Sequence, residues 1–254
     1  PAVADPNSAI KEDDALLFLD FREDSIRQIA SVFILKDFNE FPVKKFSNLY
    51  IGTMTGYTDK FEVPVAYPPE KINNPLAKVL SEKGKSQLRI AETEKYAHVT
   101  YFFNGYQEQP FKNEYRVLIP SKKISSYDER PEMQAAEITS RVIQSIEEKA
   151  FDFILVNYAN GDTIAHTGNY EAAKIAVKTI DESVGALVRA TIQNNAVLII
   201  TSDHGNAENM LNPRTGEATT AHDPTPVPIY IIGNEFTRQK TQAEIDFAEK
   251  ETIG

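Results

Sequence analysis

Apolar and polar residues fall along this chain in blocks that predict strands and helices in alternation. The clearest block is the run at 196–200, Ala-Val-Leu-Ile-Ile, which has no polar interruption and is typical of a strand buried on both faces. A similar apolar run predicts a strand over residues 152–158. Further strands are predicted at residues 15–21, 49–53, 87–91, 115–119 and 226–232.

Helical patterns lie between most of these strands. One helix is predicted over residues 76–83. Its start is indicated by Asn74 as N-cap and Pro75 at the first helical position, and its end by Gly84. Other helices are predicted after Arg22, up to residue 103, after Pro131, over 170–193 and after Asn234. The alternation predicts an α/β fold, a mostly parallel sheet sandwiched by helices.

The proline-rich stretch Val63-Pro-Val-Ala-Tyr-Pro-Pro69 interrupts this alternation and is too rich in proline for a central strand or a helix. We interpret it as a stiff connection and a domain boundary. Residues 1–67 are then predicted to be part of a second α/β domain at the amino terminus. Residues 68–254 are predicted to form the main, metal-binding domain.

Composition narrows the classes of function. The formal net charge of −10 argues against nucleic-acid binding, which requires a basic face. No apolar run has membrane-spanning length and no signal peptide is recognisable, so we expect a cytoplasmic protein without a membrane partner. The chain has no cysteine, so a metal must be held by histidines, carboxylates or backbone groups.

Histidines and aspartates cluster after the predicted strands. Because ligands bind at the carboxyl ends of strands in open α/β sheets, we expect these side chains to share one sheet edge. The candidate metal ligands are Asp162, His166, Asp203, His204 and His222. Imidazole with carboxylate suits manganese or zinc better than calcium, and five ligands exceed the need of one open site, which favours two divalent ions. His98 lies inside a predicted helix and is expected to be a packed structural histidine.

Several motifs carry a resemblance to a known family. Asp203-His-Gly-Asn-Ala-Glu208 and Ala91-Glu-Thr-Glu-Lys95 are the most specific of them. Others are Asn157-Tyr-Ala-Asn-Gly-Asp162, Thr220-Ala-His222, Pro226-Val-Pro228, Tyr127-Asp128, Pro131-Glu-Met133 and Phe21-Arg22. Together they resemble the cofactor-independent phosphoglycerate mutases of the alkaline phosphatase superfamily. The resemblance covers essentially the whole chain but only the carboxyl-terminal half of the family.

This resemblance implies an alkaline-phosphatase-like fold and interconversion of 3-phosphoglycerate and 2-phosphoglycerate through a phosphoserine enzyme. It implies one manganese ion on Asp162, His166 and His222, and a second ion bound in part by Asp203 and His204. It also implies that Lys95 contacts the transferred phosphoryl group and that Arg22 binds phosphoglycerate from the amino-terminal domain. That domain is the family's substrate-gripping domain, of which residues 1–67 would be the last part. The join at Tyr67-Pro68-Pro69 falls where the family has a hinge between its two domains.

Three departures from the family pattern stand out. Ser25 occupies the position of the family's second substrate arginine, for which Arg27 is a partial substitute at best. Gly105-Tyr106 replaces a pair of glycines. The family's nucleophilic serine, an early aspartate of the second metal site and most of the substrate domain would all precede Pro1. We therefore expect the 254 residues alone to bind metal weakly and to be inactive unless the amino-terminal half is supplied.

Two other functions remain open at this point. The serine at position 25 favours another metal-dependent enzyme of the superfamily, such as a phosphatase or a phosphopentomutase. A non-catalytic metal-binding or interaction domain is the third possibility.

Overall fold

Two units make up the fold, Pro1–Lys71 and Ile72–Gly254. A computed structural model describes residues 9–236 and 241–243, except residues 71 and 213. Parallel strands flanked by helices confirm the predicted α/β class. No helix in the described part of the chain is long and apolar enough to cross a membrane. The functions assigned above to the two domains remain predictions.

The amino-terminal unit is a small parallel α/β element. Strand β1 (Ala15–Phe18), helix α1 (Glu23–Ile34) and strand β2 (Tyr50–Thr53) follow one another, and the two strands pair in parallel. Phe18, Ala30 and Tyr57 form its buried centre. The prediction of a buried strand over 15–21 is wrong in length and in burial, since Leu17 and Leu19 are 56% and 71% exposed. In the described unit, β1 has one strand neighbour and a helix on one side only, so its other face meets solvent.

A three-stranded parallel sheet forms the centre of the second unit, in the order β4–β3–β5. Its strands are β3 (Gln87–Glu92), β4 (Glu114–Ile119) and β5 (Phe153–Asn157). All six residues of β3 are buried, because strands flank both of its edges while helices and the segment around Phe103 pack against its side chains. The strands predicted at 87–91, 115–119 and 152–158 are confirmed to within one residue at each end.

Helices cover this sheet: α2 (Leu76–Glu82), α3 (Ala135–Glu147), the short α4 (Asn160–Ala165) and α5 (Tyr170–Gln193). The predicted bounds of α5 are confirmed, and Gly84 has the left-handed φ of 71° expected just beyond a helix end. Pro75 proves to be the N-cap of α2 instead of its first helical residue. His98 begins a π-helix, His98–Phe102, and packs its ring 5.5 Å from that of Phe102. The main core joins sheet and helices through Leu88, Ile90, Ile119, Ile138, Val142 and Leu187.

A separate antiparallel pair follows, β6 (Leu198–Ile200) with β7 (Tyr230–Ile232). Leu198 packs against the main core, but Ile199 is 58% exposed and the opposite Ile231 is 50% exposed. The prediction of a strand over 196–200 buried on both faces is therefore wrong, because only one face meets the core. The helix predicted after Asn234 begins as a 3₁₀ turn, Asn234–Phe236, and the rest of it lies largely outside the described residues.

Asp152 ties the start of β5 to the start of β3. Its carboxylate accepts hydrogen bonds from Lys85 Nζ at 2.9 Å and from the Ser86 backbone N–H at 2.8 Å. These bonds, first that of Lys85 and then those of Ser86, lower the pKa of Asp152 to about 2. The unfolded value is about 3.9, so the carboxylate stabilises the fold above that pH, and this stabilisation is lost as the pH falls toward 2.

We expect Asp152→Asn to lower the thermal unfolding temperature by a few degrees at pH 7 and to match the wild type near pH 2. Circular dichroism melting at the two pH values measures the difference. Asp181→Asn, at an exposed position of α5, is the matched control and should melt like the wild type at both. An equal deficit of Asp152→Asn at both pH values would show that its carboxylate charge plays no part.

Candidate metal centre

Three chain segments meet where the strands of the second unit end. The 3₁₀ turn Thr93–Lys95 follows β3, helix α4 follows β5, and a long loop follows β6. Asp162 lies in the first turn of α4 and His166 is its C-cap residue, so the spacing of four places both side chains on one helix face. His222 comes from the loop after β6.

Asp162, His166 and His222 form the cluster predicted from the sequence. Asp162 Oδ1 lies 3.1 Å from His166 Nε2 and 3.2 Å from His222 Nε2, and the two nitrogens are 3.0 Å apart. Ligand atoms about 2.1 Å from a shared ion lie roughly 3.0–3.4 Å from one another in octahedral or tetrahedral geometry. The triangle has these dimensions, and the donor set suits a borderline divalent metal.

The tautomer of His166 strengthens this fit. Its Nδ1 lies 2.7 Å from the backbone oxygen of Thr220, which can only accept, so Nδ1 carries the proton. In the neutral ring Nε2 then presents a lone pair to Asp162 Oδ1, an atom that is itself an acceptor. Two acceptors at this distance repel, so either a proton on Nε2 or a metal cation must lie between them. The residues present therefore fit a metal ion.

Two glycines allow the loop to bring His222 to α4. Gly168 has a φ of 74°, and a Cβ there would lie 3.2 Å from the Ala218 side chain, so glycine permits the close approach of the segment that carries Thr220. Gly205 exchanges two backbone hydrogen bonds with Asp223 at 3.1 and 2.7 Å. A Cβ at Gly205 would collide with Glu208 at 2.0 Å. A side chain at 168 would be strained at this φ, and one at 205 would require Glu208 to move, so glycine suits both positions.

Lys95 points into the same cluster. Its ammonium pairs with Asp162 Oδ2, and its side chain is only 9% exposed. Burial alone would raise the pKa of Asp162, but the hydrogen bonds from Lys95 and Asn206 and the charge of Lys95 outweigh it and hold that pKa well below its usual range. The cluster thus combines the Lys95 ammonium with two imidazoles around the Asp162 carboxylate.

The turn that carries Lys95 is fixed on both sides. Tyr127 donates its hydroxyl to Glu94 at 2.7 Å, and burial together with this bond raises the pKa of Tyr127 to about 12. The backbone N–H of Ser121 donates to the Thr93 hydroxyl at 3.0 Å. These bonds place Lys95 without help from any ligand.

Asp203 and His204 lie beside this cluster without joining it. The His204 ring stacks on His222 with centroids 3.7 Å apart, and His204 Nε2 is 3.5 Å from Asp203 Oδ2. Among the described residues, the group whose ligand atoms converge contains only Asp162, His166 and His222. The second metal site predicted at Asp203 and His204 stays a prediction.

The predicted substrate residues lie in the amino-terminal unit. Arg22 and Ser25 are both exposed, at the N-cap and in the first turn of α1. Arg27, considered as a substitute for the arginine missing at Ser25, is 3.6 Å from the buried Glu23 carboxylate. This ion pair opposes a role for Arg27 in substrate binding.

Two residues at the cluster had no predicted role. Thr220 sets the His166 tautomer through its backbone oxygen, and no side-chain signal reveals such a contact. Asn206 donates to Asp162, and it lies in the quoted motif that begins at Asp203, so its position was a usable signal.

Comparisons with known proteins show which family the chain belongs to. A family model described as the metalloenzyme superfamily matches residues 14–253. The chain is 48% identical over 226 residues to the 2,3-bisphosphoglycerate-independent phosphoglycerate mutase of Pseudomonas entomophila, covering 88% of this chain and 44% of that protein. The protein of the same name from Clostridioides difficile is 45% identical over 92% of this chain and 46% of its own length.

A solved structure is similar as well. The phosphoglycerate mutase of Leishmania mexicana, crystallised at low cobalt concentration, matches with a TM-score of 0.80 at 30% identity. The match covers 90% of this chain and 44% of the Leishmania chain. The chain therefore spans less than half the length of these relatives.

Proposed function

We propose that this chain, which belongs to the metalloenzyme superfamily, is the carboxyl-terminal part of a cofactor-independent phosphoglycerate mutase. The observation that carries the proposal is the meeting of Lys95, His166 and His222 on the two oxygens of Asp162. A fixed ammonium beside a metal site is what transfer of a phosphoryl group requires, because charge develops on its oxygens. The names and identities of the relatives support the same reaction.

In this proposal Asp162, His166 and His222 hold one divalent ion, and Asp203 and His204 provide part of the site for a second. Manganese is the expected metal, since the donors mix imidazole with carboxylate. When bound, such ions neutralise the negative charge on phosphoryl oxygens. The expected compartment is the cytoplasm, where glycolysis uses phosphoglycerates.

Lys95 would bind a phosphoryl oxygen in this proposal. Its turn is already fixed by Tyr127 and Ser121, so little ordering is needed when substrate arrives. Arg22 would bind phosphoglycerate, because a permanently charged planar group suits a carboxylate or a phosphate. Ser25 lacks that charge, so the resemblance to the family is weakest at the residues expected to bind substrate.

The reaction would move the phosphoryl group from one glycerate oxygen to a serine hydroxyl and back to the neighbouring glycerate oxygen. Ser202 is close to the candidate site, but it donates its hydroxyl to the His204 backbone oxygen at 2.7 Å. We place the nucleophilic serine in the part of the family that this chain does not span. Covalent catalysis by the 254 residues alone would then be absent.

The second unit presents a surface that fits a further chain segment. Ile199 and Ile231 on the β6–β7 pair and Val197 just before β6 are 49–58% exposed, although such residues are typical of buried strands. A contiguous apolar face of this kind marks an interaction site. The amino-terminal half of the same protein is the partner we propose.

Complementation tests the proposal. We expect the purified chain to show no interconversion of the two phosphoglycerates, and to gain it when the amino-terminal part of the Pseudomonas entomophila relative is added with Mn²⁺. Enolase-coupled absorbance measures 2-phosphoglycerate. The relative's amino-terminal part alone is the control. Interconversion by the chain alone would refute our placing of the nucleophile.

Another metal-dependent enzyme of the superfamily is the second candidate, favoured by Ser25. Rates on 3-phosphoglycerate and on p-nitrophenyl phosphate distinguish the two, since a general phosphatase hydrolyses the second ester and a mutase strongly prefers the first. Metal binding without turnover of either compound in the complemented protein would favour a non-catalytic metal-binding domain.

A further inference from the structure

The two oxygens of the Asp162 carboxylate have different neighbours. Oδ2 accepts the hydrogen bond from Lys95. Oδ1 faces His166 and His222 and also accepts a hydrogen bond of 2.8 Å from the side-chain amide of Asn206. One oxygen is thus held by a cation, and the other, which the metal would use, is held by a neutral donor.

Asn206 is itself held in place. It is only 4% exposed, and its backbone N–H donates to the Glu208 carboxylate at 2.8 Å. It also follows Gly205, whose backbone pairs with that of Asp223. The amide cannot be reversed, because its oxygen would then face the Asp162 carboxylate. The side-chain amide therefore donates to Asp162, at 2.8 Å to Oδ1 and at 3.5 Å to the backbone oxygen.

We propose that Asn206 is a positioning residue that holds Asp162 Oδ1 toward the metal-binding nitrogens of His166 and His222. A carboxylate oxygen has two lone pairs, so one can accept from Asn206 while the other remains for an ion. Without this donor, the carboxylate can rotate about its terminal bond toward Lys95 and leave the two imidazoles. The inference rests on the proposed metal site and assigns a new residue to it.

Loss of such an outer contact typically weakens metal affinity 10- to 100-fold. We expect Asn206→Leu, which keeps the approximate volume but has no donor, to raise the Kd of the chain for Mn²⁺ by this factor. Isothermal titration calorimetry with MnCl₂ measures the Kd. The visible spectrum of bound Co²⁺, which reports ligand geometry, should change as well. Asn206→Ser, whose short side chain does not span the distance to Asp162, should give the same rise if the leucine variant does not fold.

Asn104→Leu is the matched control. Asn104 is a fully buried asparagine whose amide donates to the Glu114 carboxylate at 2.8 Å, away from the cluster. It should lower the unfolding temperature while leaving the Mn²⁺ affinity and the Co²⁺ spectrum unchanged. If both asparagine variants weaken Mn²⁺ binding equally, the effect of Asn206 is only structural and the proposal fails.

Two further results would distinguish the role of Asn206 from the existence of the metal site. A wild-type chain that binds Mn²⁺, with Asn206→Leu and Asn206→Ser binding it equally well, overturns the role of Asn206 and leaves the proposed function intact. A wild-type chain that binds no Mn²⁺ overturns the metal site and the Asn206 proposal together.

Discussion

Replacing His166 and His222 together with alanine should abolish metal binding by this chain. The change removes two of the three converging ligand atoms and leaves the Asp162 carboxylate, already paired with Lys95 and Asn206, as the only one. We expect the Kd for Mn²⁺ to rise more than about 100-fold, since losing a ligand costs more than losing an outer contact. Equilibrium dialysis against MnCl₂, followed by elemental analysis, should find bound metal in the wild type and essentially none in the variant.

Thermal unfolding gives an independent measurement. Metal at about 100 times its Kd stabilises a protein by about 2.7 kcal/mol, so Mn²⁺ should raise the unfolding temperature of the wild type but not of the double variant. The side chains of His166 and His222 are 42% and 33% exposed, so their loss should hardly affect the metal-free protein. His98→Ala, outside the cluster, is the control and should keep its metal. Equal metal content in all three proteins would refute the assignment.

Lys95→Met should keep its metal and lose turnover, whereas the double histidine variant should lose its metal. Its ammonium is the fixed positive charge of the cluster, and removing one such donor to a developing charge typically slows the chemical step about 10²- to 10³-fold. We expect this loss in the complemented protein. Calorimetry with MnCl₂ should find binding at least as tight as in the wild type, because a positive charge beside the site has been removed.

Stability without metal should also change in this variant. Breaking a buried ion pair costs up to about 3–5 kcal/mol, and the Asp162 side chain would keep its hydrogen bond from Asn206. We therefore expect a lower unfolding temperature that Mn²⁺ largely restores. Lys174→Met, which removes an exposed lysine paired with Glu171 on α5, is the control for both measurements. Turnover equal to that of the wild type would show that Lys95 serves only as the ion-pair partner of Asp162.

Local patterns predicted most of the second unit. The bounds of α5 followed from helical spacing, and the strands of the central sheet followed from short apolar runs. Burial was predicted less well, because an apolar run says that a strand prefers to be covered and does not say what covers it. Ile199 is exposed for this reason, although its neighbour Leu198 packs on the core.

The sequence by itself also determined the chemistry that the candidate site can have. It contains no cysteine, it places Asp162 and His166 one helical turn apart, and it carries Lys95 directly after a central strand. Each of these statements depends on residue type and short spacing alone. They limit the site to imidazole, carboxylate and ammonium groups at one end of the sheet.

Only the tertiary structure decided which of these groups converge. His222 reaches His166 across 56 residues, and the approach depends on the Gly168 turn and on the pairing of Gly205 with Asp223. The same loop leaves Asp203 outside the cluster and brings Asn206 onto Asp162. Contacts between distant segments result from loop closure and backbone pairing, which no local sequence period encodes. For this reason Asp203 and Asn206, three residues apart in one motif, have different positions relative to the cluster.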